Sequence, residues 1–451
     1  MTSLFSRATR PFAILIAAGV ALHSANVYVA AAVMPSVAGD IGGLSLYAWA
    51  TTVFVLAAVL GSAATPSLLA RAGARGAYQM AIAVVGAGTA LCALAPVMPV
   101  LLVGRFVQGL GGGLLFALGF TLIRLMLSEA LWARAMALLS AMWGVGTFAG
   151  PALGGTFAEV GEWRLAFWAI VPVTAFFAAW GAAQLPREAG RQPAPPALPL
   201  VSIGILGAAV LTLSGASVST SAAVNALGLL AAAILLVLWL RYERRTETRL
   251  LPAAAFSAGG RLRGLYVTMA LLMLAATPEV FISYFGQHLQ ELGPLAAGYL
   301  GTAMAAGWTA ASIVVRRAGL TIGPAVTAAG LALLVFVGPL ADSSAAVIAG
   351  VALGFIALGA GIGMTWPQLV TAVLNAVPAS EGDLAGASVT TIQLTAAAAG
   401  PAIGGTIVNL AGFGDGASST PARWLYIAML VAPLLILARA AVWPARQPVA
   451  A

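Results

Sequence analysis

The sequence predicts an all-α integral membrane protein: two six-helix bundles with an inserted two-helix hairpin, about fourteen transmembrane helices in all. Three observations predict it. Of 451 residues, 61% are hydrophobic and 8% are charged, with a mean hydropathy of +1.01. Soluble domains carry about 25% charged residues, so this chain reads as polytopic. Apolar runs of about 20 residues, the length that spans hydrocarbon, recur from end to end. Finally, a heptapeptide returns 250 positions later: GPALGGT at Gly150–Thr156 and GPAIGGT at Gly400–Thr406.

The first run, near 12–34, follows Arg7 and Arg10. Its apolar length exceeds that of a signal peptide's core, so it reads as a retained helix. Runs near 46–69, 77–96, 100–126, 135–158 and 164–185 complete six spans. The Pro-rich linker REAGRQPAPPALP follows, then runs near 198–217 and 222–240 joined by the short Val218–Ser221 turn. The basic loop Arg241–Arg263 leads into spans near 264–287, 295–315, 319–340, 345–375, 384–411 and 424–443. The expected organisation is an N-terminal bundle over 1–186, the linker, hairpin and basic loop over 187–261, and a C-terminal bundle over 262–451.

All 21 basic residues are arginine, and the formal net charge is +8. With the N-terminus inside, every arginine except Arg105, Arg164 and Arg423 falls on the inner face, Arg316, Arg317 and Arg446 included. Asp40, Glu159, Glu162, Glu291, Asp342 and Asp415 fall outside. This is the positive-inside pattern, with both termini cytoplasmic, in a membrane of the bacterial inner type. The basic charge is therefore a topology signal, with membrane lipid as a secondary partner, and does not imply nucleic acid.

The single cysteine, Cys92, excludes an internal disulfide and a Cys-based metal site. The Gly-rich stretch from Gly109 to Phe120 lacks the GK[ST] ending of a phosphate loop, and neither HExxH nor CxxC occurs. No cofactor, metal or enzymatic activity is expected. Transport would draw on an ion gradient, with protons as the expected partner, or on the substrate's own gradient.

Trp143–Glu159 packs Gly144, Gly146, Gly150, Pro151, Gly154 and Gly155 into one span. In an isolated helix each Gly would cost roughly 1 kcal/mol and Pro about 3 relative to Ala. Inside a bundle, small residues let backbones approach closely and Pro introduces a bend. The copy places Gly400, Pro401, Gly404 and Gly405 on the fifth helix of the second half. Gly109, Gly111, Gly112 and Gly113 on the fourth span are echoed by Gly359, Gly361 and Gly363. Two parallel-related halves of this kind are a transporter signature.

These residues resemble the major facilitator superfamily, in its fourteen-helix drug:proton antiporter branch, along nearly the whole chain. Gly146, Gly150, Pro151, Gly154 and Gly155 match the antiporter motif, one further expected Gly being Ala137. GRFVQGLGGG at Gly104–Gly113 matches the fourth-helix motif, with Arg105, Gln108 and Gly109. GEWRLAFW at Gly161–Trp168 and FGQHLQELGPLAAG at Phe285–Gly298 are also similar to this branch. In the cytoplasmic gate loop Arg71, Gly73 and Arg75 are kept, but the family's acidic position is Ala70 and its first Gly is Pro66. The first-helix acid of the branch is replaced by Asn26. Both departures bear on how the gate is held and how protons are coupled.

Ionisable groups inside a bilayer are costly and usually functional. Glu279, after Pro278, is the acid placed within a span, where low dielectric favours its neutral form and fits it to carry a proton. His23 is the other group of suitable chemistry, with Asn26 one turn on. Each also has a bland reading, a carboxylate near the outer interface and a hydrogen-bonded core histidine. Arg105 is assigned to the coupling network by the resemblance, against a reading as helix-to-helix glue. The resemblance further implies that the first and fourth helices of each half line a central cavity. His23, Asn26, Arg105, Gln108, Glu279, Phe281, Tyr284, Phe285 and Trp366 lie on those helices.

The expected function is a secondary active transporter that exports amphipathic, drug-like small molecules in exchange for protons by alternating access, working as a monomer. The alternatives are a dedicated metabolite exporter or facilitator with weak or no proton coupling, which Asn26 and Ala70 favour, and a non-transporting membrane sensor or scaffold.

Overall fold

The computed structural model describes residues 4–7, 9–191, 199–256, 260–314, 319–378, 381–414 and 419–442. Arg316, Arg317, Asp415, Arg446 and most of the Pro-rich linker lie outside the described residues. Helices account for the fold, and no strand occurs among the described residues. In order they are α1 (Arg10–Ile41), α2 (Trp49–Ala93), α3 (Met98–Met126), α4 (Glu129–Glu159), α5 (Trp163–Trp168), α6 (Ile170–Gln184), α7 (Leu200–Ser217) and α8 (Ala222–Glu243). There follow α9 (Arg261–Ala275), α10 (Ile282–His288), α11 (Pro294–Val314), α12 (Gly319–Val337), α13 (Ala345–Leu374), α14 (Gly382–Leu410) and α15 (Thr420–Val442). Among the described residues, eleven helical stretches are long and apolar enough to cross a membrane.

The expected runs fall on helix wherever they are described, with three differences of form, the first being that 164–185 is divided at Ala169 between α5 and α6. Runs 46–69 and 77–96 belong to one long helix, α2, bent at Gly73, where φ is 70° and ψ is 175°. Arg71–Arg75, expected as a cytoplasmic gate loop, is therefore a kink within α2 and not an open loop. The run 264–287 is interrupted: α9 ends at Ala275, a 3₁₀ turn spans Thr277–Val280, and α10 begins at Ile282. Pro278 explains the break, because it has no N–H to continue the α-helical ladder.

The chain forms two compact units. One comprises 1–207 with 293–299, the other 208–292 with 300–451. In the first, α3 packs on α2 through glycine: a Cβ at Gly109 or Gly113 would collide with the carbonyl oxygens of Phe54 and Ala58. In the second, a Cβ at Gly359 or Gly363 would collide with the carbonyl oxygens of Met304 and Trp308. All four glycine–carbonyl contacts keep the 250-residue offset of the heptapeptide, so the repeat is also one of packing.

The heptapeptide helices repeat their partners too. α4 lies along α1: a Cβ at Gly146 would strike Ser24, one at Gly150 would strike Tyr28, and one at Gly154 would stand 2.9 Å from the Val29 oxygen. α14 lies along the broken helix α9–α10: a Cβ at Gly400 would strike the Thr277 hydroxyl. Pro151 and Pro401 sit inside these helices, and Gly155 and Gly405 are buried. The inserted hairpin meets α14 as well, with Leu213 and Ala232 clustered on Ala402 and Asn409 donating to the Ser217 carbonyl at 2.8 Å.

Candidate functional site

In the first unit, close packing of α1, α2 and α3 brings four polar side chains together away from solvent. Arg105, on α3, is 2% exposed, too little for water to solvate a guanidinium. It donates from Nε to the Ala50 carbonyl at 3.2 Å and from Nη1 to the Asn26 carbonyl at 3.1 Å. Nη1 also donates to Gln108 Oε1. Gln108 Nε2 passes the polarity on, donating to Asn26 Oδ1 and, at 3.0 Å, to Thr89 Oγ1. Asn26 Nδ2 donates to the Leu22 carbonyl at 2.7 Å, and Thr89 Oγ1 to Val85 at 2.8 Å. Arg105 has no carboxylate partner among the described residues, and its guanidinium carbon stands 4.1 Å from the Phe54 ring centroid.

His23, one turn before Asn26, faces the same unit's interior. Its ring lies among Phe116, Phe54 and Trp143, with centroid separations of 5.4, 5.5 and 5.8 Å. Its Nδ1 is buried without a hydrogen-bond partner, against Gly112, where a Cβ would approach it to 2.7 Å. Phe54 thus touches both the guanidinium and the imidazole.

The kink at Gly73 has its own partners. Ala74 N donates to the Ala189 carbonyl at 2.8 Å, Arg75 N to Pro186 at 3.3 Å, and Arg75 Nε to Leu185 at 2.7 Å. A Cβ at Gly73 would collide with the Arg187 carbonyl oxygen. The segment after α6 therefore holds the kink through backbone, where the family pattern supplies a charge at the position of Ala70. Arg71 is exposed. At the other end of α1, Asp40 accepts from Arg164 at 2.7 Å and from the Trp163 indole at 3.0 Å.

In the second unit, Glu279 lies on the 3₁₀ turn, and its Oε1 is buried without a hydrogen-bond partner. Thr277 Oγ1, on the same turn, is likewise buried and unpartnered. Phe285 on α10 and Phe281 at its N-cap have ring centroids 6.2 Å apart and are both buried. Tyr284 stacks on His288 at 3.9 Å and meets Phe413 at 4.5 Å with the two rings tilted by 49°. Trp366 is half-buried, 5.9 Å from Trp308. Phe281, Tyr284 and Phe285 form one aromatic cluster with Phe413, a residue outside the first and fourth helices.

Sequence reading missed Thr89, Phe54, Thr277 and Phe413. Thr277 adjoins Pro278 and Glu279, so the polar-Pro-acid triplet was its available signal. The others come from elements distant in sequence, and only packing brings them in.

Residues 16–204 match the family description Major Facilitator Superfamily. Over 435 residues the chain is 39% identical to a Mycobacterium tuberculosis protein named "Probable multidrug-efflux transporter Rv1634", covering 93% of this chain and 91% of that one. It is 29% identical over 140 residues to the multidrug transporter protein MdtP of Bacillus subtilis, covering 31% and 26% of the two chains. Among solved structures, a peptide transporter POT in complex with sulfate aligns with a TM-score of 0.70 at 16% identity, covering 98% of this chain and 96% of the other. A D-xylose-proton symporter aligns with a TM-score of 0.65 at 15% identity, covering 94% and 96%. At such identities the structural likeness speaks for fold alone.

Proposed function

Because the chain belongs to the major facilitator superfamily, we propose that it is a secondary active exporter of amphipathic, drug-like small molecules. It exchanges them for protons by alternating access, in a bacterial-type cytoplasmic membrane with both termini inside. The observation that carries the export reading is the end-to-end similarity to a protein named for multidrug efflux.

The proton arm rests on Glu279. An acid on a helix break, with one oxygen buried and unpartnered, has an acceptor position open for a proton. Arg105 and His23 support it from the first unit, and no cofactor enters the cycle. Asn26, Gln108, Phe281, Tyr284, Phe285 and Trp366 are the residues assigned to substrate. Large apolar rings with a few polar groups suit an amphipathic ligand.

A second reading is favoured by one specific feature. The first unit's buried network joins Arg105 to the amides Gln108 and Asn26 and has no carboxylate to titrate. Such a unit fits a facilitator with weak proton coupling.

Reconstituted vesicles with an imposed proton gradient separate the two. Gradient-driven export should be lost in Glu279→Gln while exchange down the substrate's own gradient persists. Full gradient-driven export by that variant would overturn the role of Glu279. Wild-type export that ignores collapse of the gradient would select the facilitator.

A further inference from the structure

The segment from Arg241 to Arg263 carries six arginines and two glutamates. Arg241, Arg244, Arg245, Arg261 and Arg263 are exposed. Glu243 is buried and turned inward, where Oε2 accepts from Leu250 N at 2.9 Å and Leu251 N at 3.1 Å. The backbone is fixed further along: Arg249 Nε donates to the Thr246 carbonyl at 2.7 Å, and Ala253 N donates to Glu381 Oε1 at 3.2 Å. The Arg244 guanidinium lies over Phe256, 5.7 Å from its centroid. From Arg241 to Phe256 the positive surface is thus a built loop. No arginine of the segment has a carboxylate partner among the described residues.

What leads up to it is equally specific. Leu227, Leu230, Ile234 and Val237 are all exposed, and their three- and four-residue steps put them on one face of α8. The next step along that face is Arg241, followed at the same spacing by Arg244 and Arg245. An apolar stripe long enough for an acyl chain therefore ends at three guanidinium groups. Guanidinium matches phosphate oxygens by a planar, bidentate fork.

We propose that this face of α8 and the loop after it form a docking surface for an anionic phospholipid. The acyl chain lies along the leucine–isoleucine stripe and the phosphate meets Arg241, Arg244 and Arg245. A bound headgroup steadies the loop, and the Glu381–Ala253 bond carries that restraint to the residue preceding α14, the helix that bears Gly400 and Gly404.

The test compares thermal midpoints of the full-length protein in nanodiscs of phosphatidylglycerol and of phosphatidylcholine. Phosphatidylglycerol should raise the midpoint of the wild type and of Arg423→Gln, an exposed arginine elsewhere. The rise should vanish in the combined Arg241→Gln, Arg244→Gln and Arg245→Gln variant, whose midpoint in phosphatidylcholine should equal that of the wild type. An undiminished rise in the combined variant overturns the proposal. So does an equal rise from millimolar inorganic phosphate in phosphatidylcholine, which would mark a free-anion site. Should the combined variant fail to fold, Arg245→Gln alone is read by lipid titration in native mass spectrometry. There the affinity for phosphatidylglycerol should fall about fivefold, and an unchanged affinity overturns the proposal.

Discussion

Thr277 and Gly404 fit each other with no room for a further atom: a Cβ on Gly404 would stand 2.7 Å from Thr277 Cγ2 and 3.0 Å from Phe281. The turn that bears Glu279 is therefore held in place by a glycine of the repeated heptapeptide. In the first unit Gly150 does the same for Tyr28 on α1, the helix that bears His23 and Asn26. In both units the Gly-rich helix presses on the helix with the protonatable candidate, although the heptapeptide itself is not titratable.

Overpacking such contacts costs about 1–3 kcal/mol, because neighbours must leave their rotamers or the backbone must shift. Gly404→Val, and Gly150→Leu in the other unit, should lower transport at least tenfold while ligand binding stays measurable by a thermal-shift titration. Transport at wild-type rate in both variants would remove the link between heptapeptide packing and function.

Removing Arg105 should be expensive in a different way. Arg105→Gln leaves Gln108 Oε1 without its donor and removes a second donor from the Ala50 and Asn26 carbonyls, which keep their helical N–H partners; an unsatisfied buried group costs about 1–3 kcal/mol. Arg105→Lys should rescue little, because an ammonium cannot reproduce the planar spread of the guanidinium. The midpoint of thermal unfolding should fall in both variants, and full recovery with lysine would show that charge alone matters at this site.

Gly73 and Gly144 make a paired test of backbone against space. Gly73 has φ of +70° and abuts the Arg187 carbonyl, so Gly73→Ala should destabilise by roughly 1–2 kcal/mol and loosen the segment after α6. Gly144 lies within α4 with open space where a Cβ would go, so Gly144→Ala should stabilise by roughly 1 kcal/mol from helix propensity. Unfolding midpoints of the two variants, together with limited proteolysis near 185–191, check both signs. Shifts of the same sign would contradict this account.

Membrane helices are legible in sequence because hydrocarbon obliges each span to satisfy its own backbone, so length and hydropathy suffice to place it. The repeat was legible at Gly150 and Gly400 because close packing admits only glycine there. The same physics made Arg105 and Glu279 conspicuous, since an ionisable group in a span is rare. What those residues touch was not legible. Asn26, Thr89, Gln108 and Arg105 meet through three helices, and Phe54 joins His23 to Arg105 only because α2 packs on α3.

The sequence by itself determined that this protein is a helical membrane transporter with two related halves, which charges lie in its spans, and where glycine brings helices together. Tertiary structure alone decided that the kink at Gly73 is held by the backbone after α6. It also decided that α9 breaks at the turn carrying Glu279, and that the buried Arg105 is answered by carbonyls and amides in place of a carboxylate. The physical reason is range: hydropathy and propensity act within a segment, whereas a hydrogen bond or a glycine contact needs two helices to arrive at one point.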